Sequence, residues 1–285
     1  MKKLHTESLQ KVVSYFNSIE SRVGYSLLLK GTKHFGYYPP GKDTLSFAEA
    51  QVLMEQQLAR KLGLPNNSLV LDAGCGEGNV ALHLVKQFGY RIQGVDLLAF
   101  AVNKAKIKAE NQGLDDKANF HVGDYTFLHF PDSTFDAIYT METLVHVPNY
   151  RKALKEFYRV LKPQGKLILF EYSVSSRETL TQKQQKMVDL IMNGSGMHSL
   201  PYFLHDTFGL MLKRAGFTQI TVTNITPRIL PMLRKLYLFA LLPYQLIKFL
   251  GYQHKFINAV TAVEGYKLVQ SGDYWRYNIV SAVKA

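Results

Sequence analysis

The chain has 285 residues, of which 47% are apolar, one cysteine and a formal net charge of +12. It therefore reads as globular and large enough for one elaborated domain or two small ones. The lone Cys75 excludes an intrachain disulfide framework and a cysteine metal cluster, and the nine histidines show no paired ligand spacing, so no metal is expected. There is no uninterrupted apolar run of membrane-spanning length. The N-terminal MKKLHTESLQ is polar where a signal peptide is apolar, so a cytoplasmic location is expected.

In chain order, residues 7–30 and 46–62 carry helical apolar spacing. The stretch KHFGYYPPGKDT between them has the Gly, Pro and aromatic density of a structured loop. Short strand-like runs then alternate with helical patterns: strand 68–73, helix from 78, strand 91–96, helix from 98, strands 118–122 and 135–140, helix 149–161, strand 166–172. That alternation predicts an α/β fold with a parallel sheet covered on both faces. A polar helix follows over 176–192, then a helix stopped near Gly216, a strand, and a last strand over 274–284. Residues 225–273 are far longer than a hairpin needs and read as an insertion. The expected organisation is a helical cap over 1–62, a core over 63–224 plus 274–285, and a helical insertion over 225–273.

The chemistry concentrates at strand ends. In LVLDAGCGEG, residues 69–78, the first predicted strand runs into Asp72 and then Gly74, Gly76 and Gly78. Ligands of open parallel sheets bind beyond the carboxyl ends of the strands, where a glycine-rich turn lets backbone approach them. The spacing is not that of dinucleotide folds, and an acid before the turn disfavours a pyrophosphate while favouring an ammonium. Asp96 ends the next strand, 24 residues on, where a carboxylate grips a ribose, and Asp124 ends the third, placed to accept from an adenine amino group. Amine, ribose and adenine together describe S-adenosylmethionine.

VLDAGCGEG, GVDLL, VGDYTF, FDAIYTMETLVHVP and LKPQGKLILFEY, in this order, resemble the class I S-adenosylmethionine-dependent methyltransferases. The resemblance covers roughly residues 34–224. It implies a Rossmann-like seven-stranded, mostly parallel sheet whose last strand is antiparallel, with an N-terminal helical cap and a C-terminal helical insertion. It also implies that Asp72, Gly74 and Gly76 hold the methionine part, Asp96 with Leu97 the ribose, and Asp124 and Tyr125 the adenine, with Thr140 and Met141 backbone lining the pocket. At strand 4 the chain has TMETLVHVPNY instead of an N-P-P-Y turn. Glu142, His146 and Pro148 there resemble sterol and tocopherol methyltransferases, as do HFGYYPPGKDTLSFAEAQ and FEY.

The implied reaction is methyl transfer to a lipophilic small molecule, with carbon the preferred acceptor. An N- or O-methyltransferase of an amine or phenol, and a cofactor-binding scaffold without activity, are the alternatives. Attack by an alkene on the methyl leaves a carbocation, which calls for a carboxylate, aromatic faces and a final base. Those roles fall to Glu142, Glu171 and His146, with Phe35, Tyr37 and Tyr38 as the aromatic wall. The insertion is expected to cover the substrate, its apolar stretch broken by Pro231 and Pro243. No acid lies between Asp206 and Glu264, while Arg228, Arg234, Lys235, Lys248 and Lys255 fall inside that interval. This makes an anionic membrane surface a candidate partner. Nucleic acid is disfavoured because the aromatics sit among aliphatics and do not alternate with basic residues. Oligomeric state is not encoded in any pattern.

Overall fold

The computed structural model describes residues 2–272 and 274–285. Two helices, α1 (Lys2–Asn17) and α2 (Ile19–Leu29), precede a loop and α3 (Phe47–Leu62). Ser46 caps α3 through a reciprocal box with Glu49, and Gly63 ends it in a left-handed turn. The alternating part follows: β1 (Leu69–Ala73), α4 (Asn79–Phe88), β2 (Arg91–Asp96), α5 (Ala99–Asn111), β3 (Ala118–Val122), β4 (Phe135–Met141), α6 (Tyr150–Val160) and β5 (Leu161–Val174). Then come α7 (Gln182–Ser195), α8 (Phe208–Arg214), β6 (Phe217–Asn224), α9 (Thr226–Phe249), α10 (Ile257–Val260), α11 (Tyr266–Gln270) and β7 (Trp275–Lys284).

The seven strands form one sheet in the order β3-β2-β1-β4-β5-β7-β6. Pairing is parallel from β3 through β5, and β7 runs antiparallel to both β5 and β6. Central strands are buried on both faces, which is why they read as apolar runs instead of alternating: Val70, Leu71, Ile92, Ile138, Leu167 and Leu169 are all inaccessible. The strands expected over 91–96 and 118–122 have those bounds, whereas β5 starts earlier than expected and extends to Val174.

Two expectations for the insertion are corrected. Pro231 and Pro243 do not break it: both lie inside the single helix α9. Each proline removes one helical hydrogen bond, and the helix holds because Ile229, Met232 and Tyr244 are buried, with the Tyr244 hydroxyl donating to Glu264 at 2.8 Å. Nor does the insertion form the roof of the cavity described below, to which it contributes no residue. It buttresses that roof. The Tyr38 N–H donates to the Arg228 carbonyl at 2.9 Å, and Lys235 Nζ donates to the Leu45 carbonyl at 2.5 Å. The N–H groups of Asn258 and Ala259 donate to Glu20 at 3.0 and 2.8 Å, which ties α10 to α2.

Candidate active site

The carboxyl ends of β1, β2 and β3 meet at one cavity. Asp72 pairs in register with Gly94, Asp96 with Val122, and the Gly123 N–H donates to the Asp96 carbonyl at 2.9 Å, so Asp124 follows on the same edge. Asp72, Asp96 and Asp124 all line the cavity, together with Gly74, Gly76, Leu97, Tyr125, Met141, Glu142 and His146. Its empty volume, counting the part open to solvent, is about 1200 Å³.

The turn after β1 is held by the backbone. Gly74 and Cys75 donate to the Val95 carbonyl at 2.8 and 3.2 Å, and Asp96 accepts from the N–H groups of Gly76 and Leu98 at 2.8 and 2.9 Å. Gly74 has φ +95°, and a Cβ there would come within 2.5 Å of the Thr143 side chain. Gly76 is different: a Cβ at φ +52° would meet nothing within 4 Å. A ligand can therefore lie directly against that part of the turn. Thr143 donates to the Ala73 carbonyl and accepts, through its own carbonyl, from the Tyr125 hydroxyl, both at 2.8 Å, so β1, β4 and the Asp124–Tyr125 segment are locked together.

Burial, with the neighbouring charge of Asp96 adding to it, pushes the Asp72 carboxyl up to about 7. Burial raises Asp96 as well, against the backbone donors that favour its charge. Two desolvated acids at one rim are a site for a cation, since a positive ligand relieves the desolvation and the mutual repulsion at once. Burial also pushes the Cys75 thiol well above its usual range, aided by Asp96 and Asp72, so it is inert as a nucleophile.

The opposite wall comes from the N-terminal helices and β4. Leu9, Val12, Tyr15 and Phe16 of α1 close over the cavity, with Lys33 and His34 beneath them. His146 stands edge-on to Phe16, with ring centroids 5.2 Å apart, and its Nδ1 lies 3.3 Å from the Gly196 carbonyl. Burial lowers it to about 4, leaving a neutral imidazole at physiological pH. Glu142 occupies a left-handed backbone conformation, φ +60°, at the end of β4. Its Oε1 accepts from the Phe35 N–H and the Tyr277 hydroxyl, both at 2.7 Å, and its Oε2 accepts from the Tyr172 hydroxyl at 2.5 Å. Burial raises its pKa despite these three donors. A strained conformation costs about 1–3 kcal/mol and persists only where its surroundings fix it, as these three bonds do.

Five of the expected residues do not reach the cavity. Glu171, expected to share the carboxylate and base roles, is sealed within the sheet, where it accepts from the N–H groups of Val145 and Tyr172 at 3.0 and 3.1 Å. Burial pushes it up to about 8, and it serves to pin the turn that carries His146. The Thr140 side chain is wholly buried, and Tyr139 lines the cavity in its place. Phe35 packs edge-on to Tyr172 and Tyr277 behind the cavity, and Tyr38 is buried in a small cluster with Leu29, Ala50 and Met232. Tyr37 packs on the main core. The aromatic wall is real but is made by Tyr15, Phe16, Tyr139 and Tyr172. The chain direction through residues 33–38 turns Lys33 and His34 to the cavity and the aromatics away from it, which composition alone does not reveal. The spacing of Val12, Tyr15 and Phe16 on one helical face was the available signal for α1.

Residues 70–165 match the family described as "Methyltransferase domain". The chain is 34% identical to the S-adenosyl-L-methionine-dependent Diels-Alderase iccD of Talaromyces variabilis, over 98% of this chain and 96% of that protein. It is 35% identical to a sterol 24-C-methyltransferase of Gibberella zeae over 65% of this chain, spanning 47% of that longer protein. Among solved structures, the [4+2]-cyclase SpnF has the same fold, with a TM-score of 0.71 at 23% identity, covering 94% of this chain and 96% of that one.

Proposed function

Because this chain belongs to the S-adenosylmethionine-dependent methyltransferase family, we propose that it acts on a lipophilic, alkene-bearing small molecule held under α1, by methyl transfer to carbon. S-adenosylmethionine is the cofactor, and when bound it supplies an electrophilic methyl group on a sulfonium. In this reading Asp72 faces the ammonium, Asp96 and Leu97 the ribose, and Asp124 with Tyr125 the adenine. Leu9, Val12 and Phe16 exclude water from the reacting end. Most of the acceleration then comes from alignment and desolvation.

The observation that carries the reading is the character of the α1 wall. Its α1 residues are aliphatic and aromatic, His146 is held uncharged, and the Glu142 carboxylate is engaged by three donors. An imidazole lowered to about 4 is a weak base, poorly matched to deprotonating an amine or phenol at neutral pH. A positive charge developing on carbon meets the faces of Tyr15, Phe16, Tyr139 and Tyr172 and the Glu142 carboxylate. Burial raises the Glu142 pKa, which favours its taking up a proton.

One observation favours a second reading. The likeness to the Diels-Alderase spans the chain, including both the N-terminal helices and the insertion, whereas the sterol methyltransferase match covers 65% of it. The same wall suits a cycloaddition, which moves no proton and needs a polyene folded against apolar faces, the cofactor remaining intact. Incubation with methyl-labelled S-adenosylmethionine and fractionated lipophilic extracts separates the readings by mass spectrometry. Label on a product carbon supports methyl transfer, and an unlabelled isomer of its precursor supports cyclisation. Label on nitrogen or oxygen overturns both.

A further inference from the structure

The insertion leaves an apolar helix face uncovered. Along α9, Leu238, Leu242, Leu246 and Phe249 recur at helical spacing and are exposed, Leu242 by 83% and Phe249 by 87%, with Phe239 alongside. The opposite face carries the buried Ile229, Met232 and Tyr244. Contiguous apolar faces of this kind mark an interaction surface. Exposed Arg234 and Lys248 flank the stripe, and exposed His254 and Lys255 follow it. No aspartate or glutamate occurs from residue 207 to 263.

We propose that this face of α9 docks on anionic lipid bilayers. The charge complementarity selects the occupant: an apolar stripe flanked by Arg234 and Lys248 matches acyl chains below anionic head groups. No helix among the described residues is long and apolar enough to cross a membrane, so α9 lies in the interface plane. The same insertion holds α2 through Glu20 and the 35–47 loop through Leu45 and Tyr38. Docking therefore sets the cavity's roof beside the bilayer, from which a lipophilic acceptor is drawn without crossing water. That purpose rests on the lipophilic-acceptor reading; the docking itself is measured without turnover, so either can fail alone.

The test is co-sedimentation of the full chain with phosphatidylcholine vesicles, with and without phosphatidylglycerol, at low and high salt. Binding is expected to the anionic vesicles and to weaken with salt. Leu242→Asn with Phe249→Asn removes two exposed side chains, and an unchanged circular dichroism spectrum shows that the fold is kept; partition is expected to fall about tenfold or more. Arg234→Gln and Lys248→Gln each lower it about fivefold. The proposal is overturned if the wild type ignores anionic vesicles at low salt, or if the asparagine pair binds as well as the wild type. It is also overturned if the wild type self-associates in vesicle-free buffer and the pair abolishes this, which assigns the face to a second copy.

Discussion

On the rim side of the cavity, three acids stand at the ends of adjacent parallel strands, and the turns between them are set by backbone hydrogen bonds and glycines. On the roof side, residues from α1, the 30–38 loop and the end of β4 converge from distant parts of the chain. Glu142 alone gathers Phe35, Tyr172 and Tyr277, up to 135 residues away. The rim is local and charged, so it fixes one cofactor. The roof is non-local and largely apolar, and a change of packing there alters which acceptor fits without disturbing the rim.

If that division holds, rim substitutions strike cofactor binding and roof substitutions spare it. The largest effect is expected from Gly74→Val, whose side chain meets Thr143 in a backbone conformation that suits glycine. It should cost about 3 kcal/mol or more of stability and abolish S-adenosylmethionine binding, read by urea denaturation and calorimetry. Asp96→Asn keeps the shape but gives up one of the two acceptors for Gly76 and Leu98. Calorimetry should show cofactor affinity lowered by about 2 kcal/mol, roughly thirtyfold.

The next effect in size is one of pH. Asp72 stands at about 7 in the free protein, and a cationic ligand favours its charged form. Below pH 7 binding must first expel the proton, so affinity rises as pH rises through 7 and levels off above. Between pH 6 and 8 the gain should be about tenfold, and Asp72→Asn should flatten it. The smallest effect is expected on the roof. His146→Phe should leave cofactor affinity within about twofold and the pH profile of turnover between pH 6 and 8 unaltered, because the imidazole is already neutral there. Loss of the acidic limb from that profile would restore His146 as the base.

The same division appears in what could be read in advance. Asp72, Asp96 and Asp124 were legible because a parallel strand carries its last residue to a fixed edge, and neighbouring strands share that edge. The bounds of β2 and β3 followed from short apolar runs. The chemical role expected of Glu171 is not met at the cavity: strand position says where along the sheet a residue lies, not which side is sealed by other elements, and β5 continues three residues beyond it. Tyr38 was misread because its aromatic ring faces Met232 of the insertion, nearly two hundred residues away.

The order of strands and helices, the acid-glycine turn and the cofactor it serves were therefore determined by the sequence itself, through hydrophobic periodicity and the conformational demands of a tight turn. Only the tertiary structure decided that α1, and not the insertion, roofs the cavity, that Glu142 is held by two tyrosines and a backbone N–H, and that His146 is uncharged. These depend on burial and on contacts between residues far apart in the chain, and desolvation acts on what surrounds a group in space, which no local pattern records.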